Sequence, residues 1–210
     1  MSRILITSGP TRQYVDPVRY LTNASSGQMG AALATAVERA GHEPVVVSGP
    51  VDVEYPDAAE LTRVVSTEEM LERCLELFPT CDGLIAAAAP CDYRPVEVSA
   101  RKIRKTGGPL VLELIETPDV VARLAQIRQR QWMVGFALET EDQRMRAMQK
   151  LERKSCDLIV LNGPTAIHAA DTSVEVLDRR GTLAGSFTGP KPRVAEQLIE
   201  LIDERLIERV

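Results

Sequence analysis

The chain has 210 residues, a formal net charge of −5 and a sequence pI of about 5.2, which excludes a broadly basic nucleic-acid-binding surface. No apolar run reaches membrane-spanning length. The four cysteines, Cys74, Cys81, Cys91 and Cys156, form neither a C-x-x-C pair nor a zinc spacing, and two histidines, His42 and His168, do not suffice for a His-rich metal site. The length suits a single domain over 1–210, expected in a reducing cytoplasm with free thiols.

Residues 1–8 read as a strand, not as a signal peptide. Arg3–Ser8 is β-rich and ends at the turn signal Gly9-Pro10. A long loop, Thr11–Ser26, carries Arg12, Asp16, Arg19 and Asn23; loops of this length in compact domains are often functional. The stretch Asn23-Ala24-Ser25-Ser26-Gly27-Gln28-Met29-Gly30 opens a helix whose apolar positions Met29, Ala32, Leu33, Ala36, Val37 and Ala40 recur at helical spacing. Gly41 ends it. Ser25 or Ser26 is expected to cap this helix, and Gly27 and Gly30 allow close approach to its backbone. Two readings stay open here: an anion cradle for phosphate or carboxylate, or an ordinary capped helix packed on a sheet.

Pro44–Ser48 and Leu61–Val65 are strands, and Ser66-Thr67-Glu68-Glu69 is a capping box for a helix to about Phe78. Asp82–Ala88 is nearly all apolar and suits the middle of a parallel sheet. Prolines then interrupt the chain, and residues 90–108 read as a mobile basic flap carrying Lys102, Arg104 and Lys105. Pro109–Ile115 is a strand, followed by a helix with Thr117 as N-cap and Pro118 at its first position. Trp132–Leu138 is a buried strand, a helix runs from about Glu141 to Lys154, and Asp157–Leu161 is a further strand. Val174–Leu177 and Thr182–Phe187 make a hairpin over about 173–188, and Pro192–Glu208 is a final amphipathic helix.

Alternation of strand and helix predicts an α/β fold, a doubly wound, mostly parallel, Rossmann-like sheet with the flap and a β-hairpin extension for dimerisation. Ligands of such sheets bind at the carboxyl ends of the strands, so loops 9–26, 89–108, 116–118 and 138–140 are expected to converge there. A nicotinamide-dependent reductase is one candidate. Against it, the first loop lacks G-x-G-x-x-G, the second strand ends in Ser48-Gly49 instead of an acid, and no Tyr-x-x-x-Lys pair is present. Lys150 and Lys154 lie one helical turn apart and share a face. With Lys102, Arg104 and Lys105 of the flap they would make a phosphate clamp; taken one at a time, each reads instead as a solvated surface charge.

Seven motifs occur in order: Thr7-Ser8-Gly9-Pro10-Thr11-Arg12, Asp16-Pro17-Val18-Arg19-Tyr20, Asn23-x-Ser25-Ser26-Gly27-x-Met29-Gly30, Asp92-Tyr93-Arg94-Pro95, Lys102-Ile103-Arg104-Lys105, Gly135-Phe136-Ala137-x-Glu139-Thr140 and Lys150-x-x-x-Lys154. Together they closely resemble the phosphopantothenate–cysteine ligases of coenzyme A biosynthesis, over nearly the whole chain. The resemblance implies a ligase that joins cysteine to 4′-phosphopantothenate through an acyl-cytidylate, using CTP and Mg²⁺ and releasing pyrophosphate and then CMP. It also implies a homodimer, and a stand-alone ligase or the ligase part of a fusion with a flavin-dependent decarboxylase.

By the same resemblance, Asn23, Lys102 and Arg19 are the catalytic residues. Ala86, Ala87, Ala88, Asp92, Lys102, Ile115, Glu116, Thr117, Pro118, Phe136, Lys150 and Lys154 would bind the nucleotide. Ser25, Ser26, Gly27 and Gly30 would receive the substrate's phosphate or acyl group, and no metal ligands are implied. Three departures stand out: Arg104 where lysine is common, Pro90-Cys91 where small residues are usual, and Asn162-Gly163 in place of Asn-Asp. They leave a non-catalytic nucleotide-binding relative as a competing expectation beside the reductase.

Overall fold

A computed structural model describes residues 1–138, 143–162 and 171–208. The motif residues Glu139 and Thr140, the helix start at Glu141 and the departure at Gly163 lie outside the described residues. In chain order the strands are β1 (Arg3–Ser8), β2 (Arg12–Tyr14), β3 (Tyr20–Thr22), β4 (Glu43–Ser48), β5 (Glu60–Arg63), β6 (Gly83–Ala86), β7 (Tyr93–Pro95), β8 (Leu114–Glu116), β9 (Trp132–Leu138), β10 (Leu158–Asn162), β11 (Asp171–Asp178) and β12 (Leu183–Pro190). The helices are α1 (Gln28–Arg39), α2 (Thr67–Leu77), α3 (Val120–Ile127), α4 (Gln143–Arg153) and α5 (Lys191–Ile202), the last continuing as a π-helical turn over Asp203–Ile207.

The main sheet has eight strands in the order β5-β4-β1-β6-β9-β10-β11-β12. The first six are parallel, and β11 and β12 add antiparallel at one edge. The apolar runs explain this arrangement, because both faces of each central strand are covered. Ile4 and Ile6 of β1 point into a core shared with α1 and α5, whereas Leu5 points into a second core shared with α2, α3 and α4. The expected layers, with helices on both faces of a mostly parallel sheet, are present.

Four local expectations differ from the structure. The hairpin is not a separate extension: β11 pairs with β10 from Leu158↔Asp178 to Asn162↔Val174, so both its strands belong to the main sheet. Pro109–Ile115 supplies no sheet strand; only Leu114–Glu116 is extended, and it pairs with Tyr93–Pro95 in a separate ribbon from which the flap projects. The long first loop also folds into a ribbon, β2 with β3. Thr117 does not cap α3; Asp119 does, accepting from the Ala122 N–H at 3.2 Å. The capping box of α2 is present in altered form: Ser66 accepts from the Glu69 N–H at 3.1 Å, but Glu69 reaches back to the N–H of Val65.

The helix α1 packs unusually close to β1. A Cβ on Gly30 would stand 2.0 Å from Ser8 Oγ and 3.2 Å from Ser8 Cα. Only a glycine permits this approach. We expect Gly30→Ala to lower stability by about 1–3 kcal/mol through overpacking, read as a shifted urea midpoint; an unchanged midpoint would show that α1 can slide off β1 without cost.

Candidate functional site at the carboxyl edge of the sheet

The strand order reverses between β1 and β6, and the chains leaving these two strands run side by side before diverging. Ala87 N–H donates to Thr7 O at 3.2 Å and Ala89 N–H to Gly9 O at 2.9 Å, with a parallel bridge between Pro10 and Ala89. This reversal is where open α/β sheets form a ligand crevice. Ala86, Ala87 and Ala88 therefore sit at its floor, and Phe136 lies on the neighbouring strand, where Ala86 is paired with Gly135.

The loop after β6 is fastened by buried hydroxyls. Cys91 N–H donates to Thr11 Oγ1 at 2.8 Å, Thr11 and Thr67 share a hydroxyl–hydroxyl bond of 2.7 Å, and Thr67 donates to Cys91 O at 3.2 Å. Each hydroxyl has one proton, so the circuit assigns Thr11 as donor to Thr67. Thr117 closes it from the other side, with its hydroxyl donating to Cys91 O at 2.7 Å and its N–H to Asp92 O at 2.9 Å. That engagement is why Thr117 is not available as a helix cap. Asn23 Nδ2 donates to Pro90 O at 2.8 Å, tying the loop that opens α1 to the same segment. The residues 90–92 are thus anchored and form the root of the flap, with Asp92 exposed.

No side chain caps α1. Gly27 takes the N-cap position at φ 75°, and neither Ser25 nor Ser26 bonds to the first turn, contrary to the capping expectation. The left-handed turn at Gly27 points the chain into the helix without a cap, so the first-turn N–H groups remain for solvent or an anion. Lys191, buried at the start of α5, places its Nζ 3.3 Å from Gln28 Oε1 and brings a cation to that end of α1. Sequence reading missed Lys191; its only signal is a lysine set between Pro190 and Pro192 at a helix start. Val51 covers Gly9 and Gly27, and Tyr55 joins Ser8 and Ser48 through 2.8 Å bonds. The first turn therefore lacks the open glycine cradle of a dinucleotide fingerprint.

Arg19 does not point to the α1 terminus. It pairs with Asp16 and donates to Ile103 O at 3.2 Å, within the flap motif. Asp16 is wholly buried and accepts from the N–H groups of Val18 at 2.8 Å, Arg19 at 2.9 Å and Ile103 at 3.1 Å. Withdrawal from water pushes its carboxyl pKa up; the three backbone N–H groups and the Arg19 guanidinium outweigh this and bring it to about 2. Lys102, Arg104 and Lys105 stay exposed on either side of the gripped Ile103.

Lys154 reaches the stretch 115–119 from another helix, with Nζ 3.0 Å from Asp119 Oδ1 and little exposure. Desolvation raises the Asp119 carboxyl, and Lys154 with the Ala122 N–H lowers it below its usual value. Lys150 lies one turn earlier on α4 and is half-buried. Ile115 and Glu116 belong to the flap ribbon, and Pro118 leads into α3. All four cysteines are free and buried; burial pushes the thiol of Cys74 up to about 12 and those of Cys81 and Cys156 up to about 11, which makes them poor nucleophiles. Among the described residues no group of three or more His, Cys, Asp or Glu is placed to hold a metal ion, and no helix is long and apolar enough to cross a membrane. A groove of about 350 Å³ beside Arg12, Tyr14, Ser66 and Arg94 contains none of the expected site residues.

This is a doubly wound α/β domain with its loops gathered at the topological switch point. The chain belongs to the family described as DNA/pantothenate metabolism flavoprotein C-terminal domain, the phosphopantothenate–cysteine ligase domain of bifunctional coenzyme A biosynthesis proteins, which matches residues 1–206. It is 35% identical over 206 residues to the coenzyme A biosynthesis bifunctional protein CoaBC of Haemophilus influenzae, covering 96% of this chain and 51% of the relative. It is 38% identical over 207 residues to a protein named cysteine/cysteine sulfinic acid decarboxylase from an unknown prokaryotic organism, covering 95% of this chain and 57% of that one. The chain thus spans about half the length of the curated relatives it matches. The crystal structure of the C-terminal domain of a CoaBC protein superposes with a TM-score of 0.82 at 33% identity, covering 99% of this chain and 96% of the other.

The Asp16 clamp makes a direct prediction. A carboxyl with a folded pKa near 2 and an ordinary value of 3.8 contributes stability that is full above about pH 4 and is lost as pH falls through 2. Carbon-detected NMR titration of the Asp16 carboxyl is expected to give a midpoint near 2; a midpoint near 3.8 would show that the clamp does not form in solution.

Proposed function

We propose that this domain joins cysteine to 4′-phosphopantothenate at the expense of CTP. The observation that carries this reading is family membership across residues 1–206, supported by contacts that join the first loop to the segment after β6 (Asn23 to Pro90, Thr11 to Cys91) and to the flap motif (Asp16 to Ile103). A carboxylate is a poor acylating agent, and attaching a nucleotide supplies a leaving group. In the first step the substrate carboxylate attacks the α-phosphate of CTP and pyrophosphate departs. In the second the cysteine amine attacks the acyl carbon of the acyl-cytidylate and CMP departs.

The protein's part is alignment and neutralisation of phosphate charge. In this reading Ala86, Ala87, Ala88, Asp92, Ile115, Glu116, Thr117, Pro118 and Phe136 enclose the nucleotide. Lys102 from the flap, with Lys150 and Lys154, offsets phosphate charge, and Lys154 does so while held by Asp119. The substrate's anionic group meets the uncapped start of α1 beside Ser25 and Ser26, whereas Gly27, under Val51, and Gly30, packed on Ser8, shape the helix start instead of facing the ligand. Arg19 acts through the flap instead of through the substrate. Mg²⁺ would supply further neutralisation of the triphosphate's charge, and no protein carboxylate among the described residues is assigned to hold it. Asn23 spends one amide proton on Pro90 O and has a second for an acyl or phosphoryl oxygen.

A homodimer fits the same reading, with a decarboxylase fused or made separately. The β11–β12 hairpin is integrated into the sheet, and what supports the dimer is the ribbons and flap, where Tyr93, Val98, Leu110, Val111, Leu114 and Ile115 are each exposed. Light scattering at micromolar concentration is expected to give twice the 23.1 kDa chain mass; the mass of one chain would remove the dimer.

Incubation with CTP, phosphopantothenate, cysteine and Mg²⁺ is expected to release pyrophosphate and CMP. In Asn23→Asp the donor to Pro90 O is lost and a negative charge faces the anionic intermediate. That variant is expected to release pyrophosphate once and retain the acyl-cytidylate, with CMP release slowed by about a hundredfold, the usual loss for one oxyanion donor. Full-rate CMP release on adding cysteine would take Asn23 out of the second step, and absence of pyrophosphate from the unaltered protein would end the ligase reading.

A further inference from the structure

We infer that Asp16 is a positioning residue that latches the basic flap to the loop carrying Asn23, and so sets where Lys102 stands during nucleotide activation. The inference rests on the ligase reading for its chemistry, but its geometry stands independently. Ile103, between Lys102 and Arg104, is gripped at both ends of its backbone unit: its N–H donates to Asp16 Oδ2 at 3.1 Å and its carbonyl accepts from Arg19 at 3.2 Å. The two gripping groups are themselves an ion pair, so neither can turn away without breaking the other's contacts.

The clamp is rigid on the loop side. Asp16 sits in the tight turn between β2 and β3, where Val15 N–H donates to Arg19 O at 2.8 Å, and its other oxygen is held by the Val18 and Arg19 N–H groups. A second tie, Ser99 N–H to Val15 O at 3.0 Å, fixes the flap just before the motif. From Arg104 to Leu112 the flap backbone makes no hydrogen bond among the described residues, so Ile103 is the last anchored point before the exposed span. A carboxylate fully removed from water is sustained in a surface turn only by satisfying its oxygens, and one of the four donors that do so is the flap's own Ile103 N–H. The grip on Ile103 gives it a use: the lysine next to it is held near one position instead of sweeping through solvent, and electrostatic stabilisation of a transition state requires such pre-placement.

The test is Asp16→Asn in the full chain, where an amide cannot accept from all four donors. Hydrogen exchange at the Ile103 N–H and tryptic cleavage after Lys102, Arg104 and Lys105 are expected to speed up by about tenfold or more, the effect of losing a hydrogen bond to a charged group. Exchange in β1 and β6 is expected to stay at its original rate. The rate constant kcat is expected to fall by about tenfold while KM for cysteine stays within about twofold, because the lysine acts on the activated nucleotide and not on the amine. Unchanged exchange and cleavage would overturn the latch, as would a loss confined to KM. If Asp16→Asn also loses exchange protection in the core strands, Ile103→Pro decides, since it removes the flap's donor to Asp16 and leaves the Val18 and Arg19 donors in place: faster tryptic cleavage after Arg104 and Lys105 supports the latch, and wild-type cleavage there overturns it. Should the unaltered protein release no pyrophosphate, the ligase reading fails, while exchange and proteolysis still decide whether Asp16 holds the flap.

Discussion

The arrangement of the site depends on the buried hydroxyl of Thr11. Where β1 and β6 diverge, two chains leave a parallel sheet and lose their ladder partners, and unpaired backbone groups in that setting are costly. Thr11 accepts the N–H of Cys91 and passes its own proton to Thr67, which donates to the carbonyl of the same residue. One cysteine's backbone is thereby satisfied by side chains from the first loop and from the start of α2, with Thr117 added from the approach to α3. Three connections that have no secondary structure in common are joined at one point. Asn23 extends the joint to the opening of α1 through Pro90. The alanine floor, the flap root and the stretch 115–118 are held relative to each other by this joint.

The protein carries a net negative charge, yet it presents cations in two distinct ways. Lys154 and Lys191 are withdrawn from solvent and held by Asp119 and Gln28. Lys102, Arg104 and Lys105 stay in solvent, and only the backbone between them is held. Buried cations with partners are fixed but partly neutralised, whereas exposed ones keep their full charge and lose it to screening unless a ligand excludes water. In the proposed reaction, a site that would receive a triphosphate and release its fragments has use for both kinds.

Membership in a family whose curated relatives are about twice as long places this domain beside a second catalytic unit in those proteins. The domain's two cores are closed by its own five helices, and exposed apolar side chains stand on the ribbons and the flap. The surface best suited to another chain is therefore the one that also carries the expected nucleotide contacts Ile115 and Glu116, so association and substrate binding would share residues.

The order of the main-sheet strands and the helices between them, the parallel character of the central sheet and the seven ordered motifs were determined by the sequence alone, whereas the β2–β3 and β7–β8 ribbons were not. Both-sided burial writes itself as runs such as Ile4-Leu5-Ile6 and Val45-Val46-Val47, and helix periodicity as the spacing of Leu33, Ala36 and Val37. What only the tertiary structure decided were matters of competition for a single hydrogen-bonding group or strand edge. Thr117 has the right residue type for a cap, but Cys91 takes its hydroxyl and Asp119 caps in its place. Ser25 and Ser26 are equally suited to capping, and the left-handed turn at Gly27 removes them from the helix axis. The hairpin reads the same whether it stands alone or pairs with β10, since pairing partners lie outside the local window. Asp16 and Arg19 are three residues apart and read as a loop ion pair; that both also hold Ile103, more than eighty positions away in the chain, is information that no local pattern contains, because it exists only once the flap has folded back across the first loop.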